Sequence, residues 1–240
     1  MKTLIVHAHP ERQSFCASMK RVAAETLCRE GHEVVVSDLY AQQFNPVATA
    51  ADFGSRARAD YLVYAMEQRH ASAAGTLAPD IAAELEKLQW ADLLILNFPV
   101  FWTSVPAIMK GWIDRVLVSG LCYGGLRFYD RGGLKGKRAA LSFTIGGQRH
   151  MFEPDGIHGP LETYLQPLER GTLAYVGMSV LPAFTAWHVP YVSDDVRHAT
   201  MDEYRDWLRQ LPAATPKRFP SMDDFDRKLR PLRSAGAVEA

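Results

Sequence analysis

The chain has 240 residues, 48% of them apolar and 10% aromatic, with 27 basic and 27 acidic side chains. These figures describe one compact domain, with or without an appendage, and exclude a disordered or fibrous chain. With a formal charge of zero, the chain lacks the single-signed field that draws proteins onto phosphate backbones or anionic lipid, so neither nucleic acid nor membrane insertion is expected. The N-terminal apolar run is only Leu4, Ile5 and Val6 before His, Pro and charges, which suits neither a signal peptide nor an anchor. Cys16, Cys28 and Cys122 form an odd, widely spaced set without a CxxC pair. A disulfide framework or zinc knuckle is therefore not indicated, and a reducing cytoplasm is expected.

Short β-branched runs alternate with longer stretches of helical period, the pattern of βαβ units around a parallel sheet. Strands are expected at 4–8, 33–37, 91–98, 138–144 and 179–187, several of them apolar without alternation, as in strands covered on both faces. Between the first two, Ser14 caps a helix whose apolar positions are Phe15, Met19, Val22, Ala23 and Leu27, and Gly31 ends it. Segment 42–75 is a long connection with a helix around 61–71. Pro79 opens a second helix with Ile81, Leu85 and Leu88 on one face, closing at Trp90. Ser104 and Pro106 open a third, with an inner stripe of Ile108, Trp112, Ile113 and Val116 and with Lys110, Asp114 and Arg115 left to face out or toward a site. Helices follow at 161–176, disturbed by Pro167 and Gly171, and at 194–211. The expected organisation is an α/β domain over 1–211 and a C-terminal extension over 212–240. In the extension four prolines forbid a long helix, while Phe219 and Phe225 argue that part of a charged arm docks.

Open α/β sheets bind ligands at the carboxyl ends of their strands. After the first strand, the turn from His7 to Ser14 runs into a helix N-terminus, a place for phosphate to which His9 and Ser14 add donors. Neither GxGxxG nor GxxxxGK[ST] is present, which excludes a Rossmann dinucleotide site and a P-loop. His7-x-His9 resembles the start of a zinc site, since strand alternation sets both rings on one side, but no further ligand stands at the required spacing and no metal is assigned. After the third strand, Phe101 and Trp102 lie between Pro99 and Pro106, a stiff aromatic shelf for a planar ligand. The fourth strand empties into Thr144-Ile145-Gly146-Gly147, where backbone N–H groups approach a ligand closely. One anion turn, one aromatic shelf and one Gly-Gly loop at three strand ends suit a phosphorylated planar cofactor, and flavin is the economical candidate.

The blocks LIVHAHPERQSF at the start, SDLYAQQFNP at 37–46, LAPDIAAELEKLQWADLLILNFP at 77–99, VPAIMKGWIDRV at 105–116, the Gly146-Gly147 loop and Gly156-Ile157-His158-Gly159 resemble the flavodoxin-fold, DT-diaphorase-like NAD(P)H:quinone oxidoreductases. In the tail, Thr215-Pro216, Phe219, Ser221 and Phe225-Asp226 are similar as well, so the likeness covers nearly the whole chain. The resemblance implies a flavodoxin-like fold with a five-stranded parallel sheet and helices on both faces, a homodimer, and FAD rather than FMN. It implies NADPH or NADH as hydride donor and two-electron, ping-pong reduction of a quinone.

By the same resemblance, His9, Gln13, Phe15 and Ala17 should hold the FAD phosphates and ribityl chain. Pro99, Val100, Phe101, Trp102 and Thr103 should lie along the ring system, and Thr144, Ile145, Gly146 and Gly147 on its polar edge. Arg197 matches an arginine near the adenosine end and Asp114 a family glutamate, while Tyr123, Phe128, Tyr175 and Phe225 should wall the substrate cavity, partly from the other subunit. A family tyrosine and histidine steady negative charge on the reduced flavin. His158 matches the histidine, whereas Phe152 stands at the tyrosine position and lacks the hydroxyl; Gly125 replaces a gating tyrosine. Restoring the hydroxyl with Phe152→Tyr should speed flavin reduction. A second reading keeps fold and flavin but makes the chain an electron carrier or a regulatory subunit acting through a protein partner.

Overall fold

A computed structural model describes residues 1–232. Five parallel strands, β1 (Lys2–His7), β2 (Glu33–Asp38), β3 (Leu93–Pro99), β4 (Arg138–Ile145) and β5 (Ser179–Val180), lie in the order β2-β1-β3-β4-β5, and a further strand β6 (Phe184–Trp187) also pairs with β4. The order reverses direction between β1 and β3, which opens a crevice at their carboxyl ends. The helices are α1 (Phe15–Arg29), α2 (Tyr64–Ala74), α3 (Pro79–Trp90), α4 (Ala107–Val116), α5 (Leu161–Leu168) and α6 (Asp194–Gln210).

Alternation along β1 decides which helices cover which face. Leu4 and Val6 pack with the α3 and α4 side chains Ile81, Leu88, Met109 and Trp112, while Ile5 packs with Met19, Ala23 and Leu27 of α1 and Tyr204 and Leu208 of α6. β3 is buried at every position, as its uninterrupted apolar run requires.

The expected single strand at 179–187 is broken in two. Leu181 still donates its N–H to Ala139 O on β4 at 2.8 Å, but Pro182 has no N–H to continue the ladder, and pairing resumes at Phe184. The helix expected around 61–71 lies at Tyr64–Ala74. Past Pro167 the expected helix to 176 continues from Glu169 to Ala174 as a π-helix. Arg115 faces neither solvent nor the site: it is buried, ion-paired to Asp52 at 2.9 Å and to Asp80, and so fastens the connection 42–75 to α3 and α4.

The tail docks on its own chain over the described residues. Lys217 donates its N–H to Val180 O at 2.8 Å and pairs with Glu169, and Phe219 packs against the core. Ser221 and the Met222 amide both bond Asp130, and Phe225 bridges to Pro231. The rest of the expected extension, 233–240, lies outside the described residues.

Candidate active site

The three strand-end loops meet in one cavity of about 410 Å³. His9, Ser14 and Phe15 enter it from the first, Pro99, Val100 and Phe101 from the second, and Thr144, Ile145 and Gly146 from the third, while Val189, Pro190 and Arg197 complete the lining. Val100 and Ile145 are shared with a smaller, more apolar pocket of about 190 Å³ that holds Trp102, Thr103, Phe152 and His158, so the two spaces adjoin.

The first wall is a helix start. Ser14 caps α1 by accepting the Ala17 N–H at 3.0 Å, and the first-turn amides of Phe15 and Cys16 have no intrahelical acceptor to meet. His9 accepts the Glu11 N–H on Nδ1 at 3.0 Å, which leaves Nε2–H as the ring's donor, and burial holds its pKa below the ordinary imidazole value. Neutral His9 and a helix N-terminus make this end suited to an anion. Ala17 itself is buried with its amide spent on Ser14, and Gln13 is exposed on the turn; neither lines the cavity, whereas Cys16 does. β1 ends at His7, so the alternation that would set both imidazoles on one side lapses: His7 turns inward and donates Nδ1–H to Asn97 Oδ1 at 2.6 Å.

The second wall is strained. Phe101 and Ser104 exchange both backbone hydrogen bonds at 3.0 Å, closing a four-residue turn whose central residues Trp102 and Thr103 have φ of 48° and 61°. Those are the φ signs of a type I′ turn, which favours Asn-Gly; a β-branched threonine there is an outlier. Trp102 is 98% exposed. A large ring held in solvent by a strained turn points to something that covers it.

The third wall explains one glycine by contact. A Cβ on Gly147 would stand 2.6 Å from the Phe152 ring, whereas a Cβ on Gly146 would meet nothing within 4 Å and would project into open space at the cavity it lines. His188, at the end of β6, holds this loop by donating its N–H to Gly147 O at 3.1 Å and lies 2.7 Å from Gly146 O through Nδ1. Phe152 and His158 face each other with ring centroids 4.8 Å apart.

Tyr123, Phe128 and Tyr175 lie outside both pockets. Phe128 and Tyr175 stack in parallel at 5.4 Å, and Tyr123 meets Tyr175 at a tilt, these two tyrosines lying next to Asp114, whose carboxylate pairs with Lys110. Phe225, on the docked tail, lines neither pocket. Val189, Pro190 and His188 were not singled out as site residues: the strand before them was expected to end at 187, as β6 does, but no motif in the residues that follow marks a ligand contact. A larger cavity, about 700 Å³, opens beside Gln89 and Lys137, which precede β3 and β4. It is lined by Arg69, Arg127 and glycines, has no aromatic platform, and sits at the other end of the sheet from the strand-end loops.

A family model of the flavodoxin-like fold matches residues 1–211. The chain is 38% identical over 226 residues to the rat NAD(P)H dehydrogenase [quinone] 1, covering 94% of this chain and 82% of that protein. It is 42% identical over 211 residues to the mouse ribosyldihydronicotinamide dehydrogenase [quinone], covering 88% and 91% respectively. A solved structure from Klebsiella pneumoniae, described as a quinone reductase, superposes with a TM-score of 0.91 at 36% identity, covering 99% of this chain and 98% of that one. With the sheet order, the three converging loops and these likenesses together, the chain belongs to the NAD(P)H:quinone oxidoreductase family of flavodoxin-like proteins.

Proposed function

We propose that this chain is an FAD-dependent NAD(P)H:quinone oxidoreductase. The observation that carries the reading is the meeting of the anion turn, the aromatic shelf and the Gly-Gly loop in one cavity that adjoins an apolar pocket. Bound there, the flavin would supply two-electron hydride chemistry, taken from the nicotinamide and given to the quinone in alternate, ping-pong occupancy of the same pocket.

The protein's part is placement. The α1 N-terminus, His9 and Ser14 hold phosphate, and the further lining of the cavity by Val189, Pro190 and Arg197, beyond the three loops, supports the longer FAD over FMN. Phe101 and Trp102 keep water from one side of a flat ligand, and the open space at Gly146 admits a planar edge against the backbone. His158, exposed at the pocket, carries the donor for charge that builds on the ligand, without help from a phenol at Phe152.

A homodimer completes the site. Tyr123, Phe128, Tyr175 and Phe225 wall a substrate cavity only as residues of a partner subunit, because in their own chain they lie apart from both pockets. Exposed Trp102 suits the same arrangement. Cys16, Cys28 and Cys122 are all free, in keeping with a cytoplasmic enzyme, and no helix of the described residues is long and apolar enough to cross a membrane.

An anaerobic visible spectrum tests the proposal. The flavin band of the purified protein should bleach with NADPH or NADH and return with menadione. Bound flavin that stays oxidised would favour the electron-carrier or regulatory reading instead. Failure to bind FAD or FMN on reconstitution would overturn the assignment of the three loops to one cofactor site.

A further inference from the structure

The loop that carries His158 is tied mainly to itself. Met151 donates its N–H to Gln148 O at 3.1 Å, Gly156 to Glu153 O at 2.9 Å, His158 to Met151 O at 2.9 Å and Gly159 to Gly156 O at 2.9 Å. The strand of backbone at Gly156 passes so close to the preceding turn that a Cβ there would stand 2.5 Å from His150 O. What joins this unit to the body of the protein is a short list of side-chain contacts. The Phe152 ring packs against Trp187 of β6 at 5.7 Å and against Gly147. At the root of the loop the Gln148 side chain lies 3.5 Å from His188 Nε2, and on the far side the link comes from α5: the Tyr164 hydroxyl donates to the His158 carbonyl, and its ring meets Phe152 edge-on at 5.9 Å.

Tyr164 lines the same small pocket as Phe152 and His158, and it is the one phenol among the described residues lining it. Nothing in the sequence marked it, since at its place on α5 an aromatic reads as part of the helix's apolar face. Its position is unusual for that reading. It is half-buried, its hydroxyl is committed to the very residue whose imidazole faces the pocket, and the neighbouring ring inside the loop has no hydroxyl of its own.

We propose that Tyr164 is the positioning residue of this pocket, fixing the His158 loop from the helix side so that the imidazole is held beside Phe152 at the mouth of the ligand space. The proposal rests on the oxidoreductase reading for its kinetic arm and on the protein alone for its structural arm. Phe152 can hold the loop only by ring packing, which leaves the self-bonded unit, His158 with it, to swing as one piece about the turn at Gly159, where φ is +71°. A hydrogen bond to the His158 carbonyl stops that swing, and small errors of placement at a reacting centre are expensive.

The test is Tyr164→Phe, which removes one oxygen and keeps the ring. In the ligand-free protein, the nuclear Overhauser contact between the His158 and Phe152 rings should weaken markedly and amide exchange across residues 149–159 should quicken, with the melting temperature nearly unchanged. In the flavin-loaded protein, reduction by NADH should slow by about tenfold while flavin affinity and the KM for nucleotide change by less than about twofold. In a His158→Ala background the same change should cost nothing further, since a positioning residue acts only through the group it positions. An undiminished ring contact with unchanged exchange would overturn the proposal, as would a rate loss that simply adds to that of His158→Ala. If the wild-type flavin is not reduced at all, the oxidoreductase reading fails, and the ring contact and exchange in the ligand-free protein still decide the role of Tyr164.

Discussion

Two layers meet at the carboxyl end of the sheet, and they are built on opposite terms. The lower layer is a buried polar chain: His7 Nδ1–H to Asn97 Oδ1 at 2.6 Å, Asn97 Nδ2–H to Ser142 Oγ at 3.2 Å, and Ser142 Oγ–H to the Tyr204 hydroxyl at 2.8 Å. It crosses from β1 through β3 and β4 to α6, and none of its four residues is more than 1% exposed. The upper layer begins four residues after Asn97, where Phe101 is 46% and Trp102 98% exposed and two residues in succession have positive φ. In the lower layer the side chains are spent on one another, the Asn97 amide on three of them, and little is left to offer a ligand. The upper layer offers rings and open backbone and keeps little packing for itself. Stability and ligand binding are thus assigned to different atoms of the same loops, and substitutions should separate them.

Asn97→Leu attacks the lower layer where it is most connected. The Asn97 amide accepts from His7 and from the Cys16 thiol at 3.5 Å and donates to Ser142, so its loss leaves buried groups without partners. Each such group costs roughly 1–3 kcal/mol, and the expected total is at least about 3 kcal/mol in denaturant unfolding of the ligand-free protein. A loss of less than about 1 kcal/mol would mean that the chain of hydrogen bonds is incidental.

Acid should strain the same layer. Burial lowers the His7 pKa from 6.5 to about 4, against the opposing hydrogen bond to Asn97. The fold therefore holds the neutral ring while the unfolded chain takes up a proton. The contribution is level above pH 6.5, falls as pH drops from 6.5 toward about 4, and flattens below that. The loss over this window is on the order of 3 kcal/mol. His7→Gln should remove that part of the slope, which unfolding midpoints measured across the window will show. The burial that does this also pushes the Cys16 thiol up to about 12, so that cysteine stays protonated beside the cavity it lines.

The lower layer was the less legible of the two. His7 and Asn97 stood in recognised segments, but Ser142 reads as an ordinary strand residue and Tyr204 as one more aromatic on an amphipathic helix. Their pairing depends on which face of β4 meets α6, a fact of packing that no local pattern carries. The upper layer announces itself, because rings between prolines and a Gly-Gly pair are out of place in a helix or strand. The sheet itself was legible for a similar reason: its apolar runs are short and evenly spaced. It was misjudged only where Pro182 cuts the last strand.

In the upper layer, Gly147→Ala should reverse the balance of effects. A Cβ 2.6 Å from the Phe152 ring must displace a ring already held between His158, Tyr164 and Trp187. Flavin reduction should slow by about 10²-fold, the usual cost of displacing a group that abuts the reacting centre by about an ångström. Unfolding of the ligand-free protein should hardly change. A stability loss comparable to that of Asn97→Leu, with the rate preserved, would erase the distinction between the layers.

The double change Trp102→Asn with Thr103→Gly is the gentlest of these tests and the most discriminating. It gives the turn the residues its φ values favour, so the strain of two L-residues at 48° and 61° is relieved. Strain of that kind costs roughly 1–3 kcal/mol per residue, so the ligand-free protein should become more stable by about 1–3 kcal/mol, allowing for the lost Thr103 and Trp102 contacts. Because Trp102 is almost wholly exposed, its removal forfeits little packing within the chain. Flavin affinity or quinone turnover should fall by about tenfold, as the proposed cover of the ligand or a partner subunit by this ring requires. A variant that is more stable and equally active would show that the strained turn serves neither. A variant that is less stable would show that Trp102 holds the fold in a way its exposure conceals.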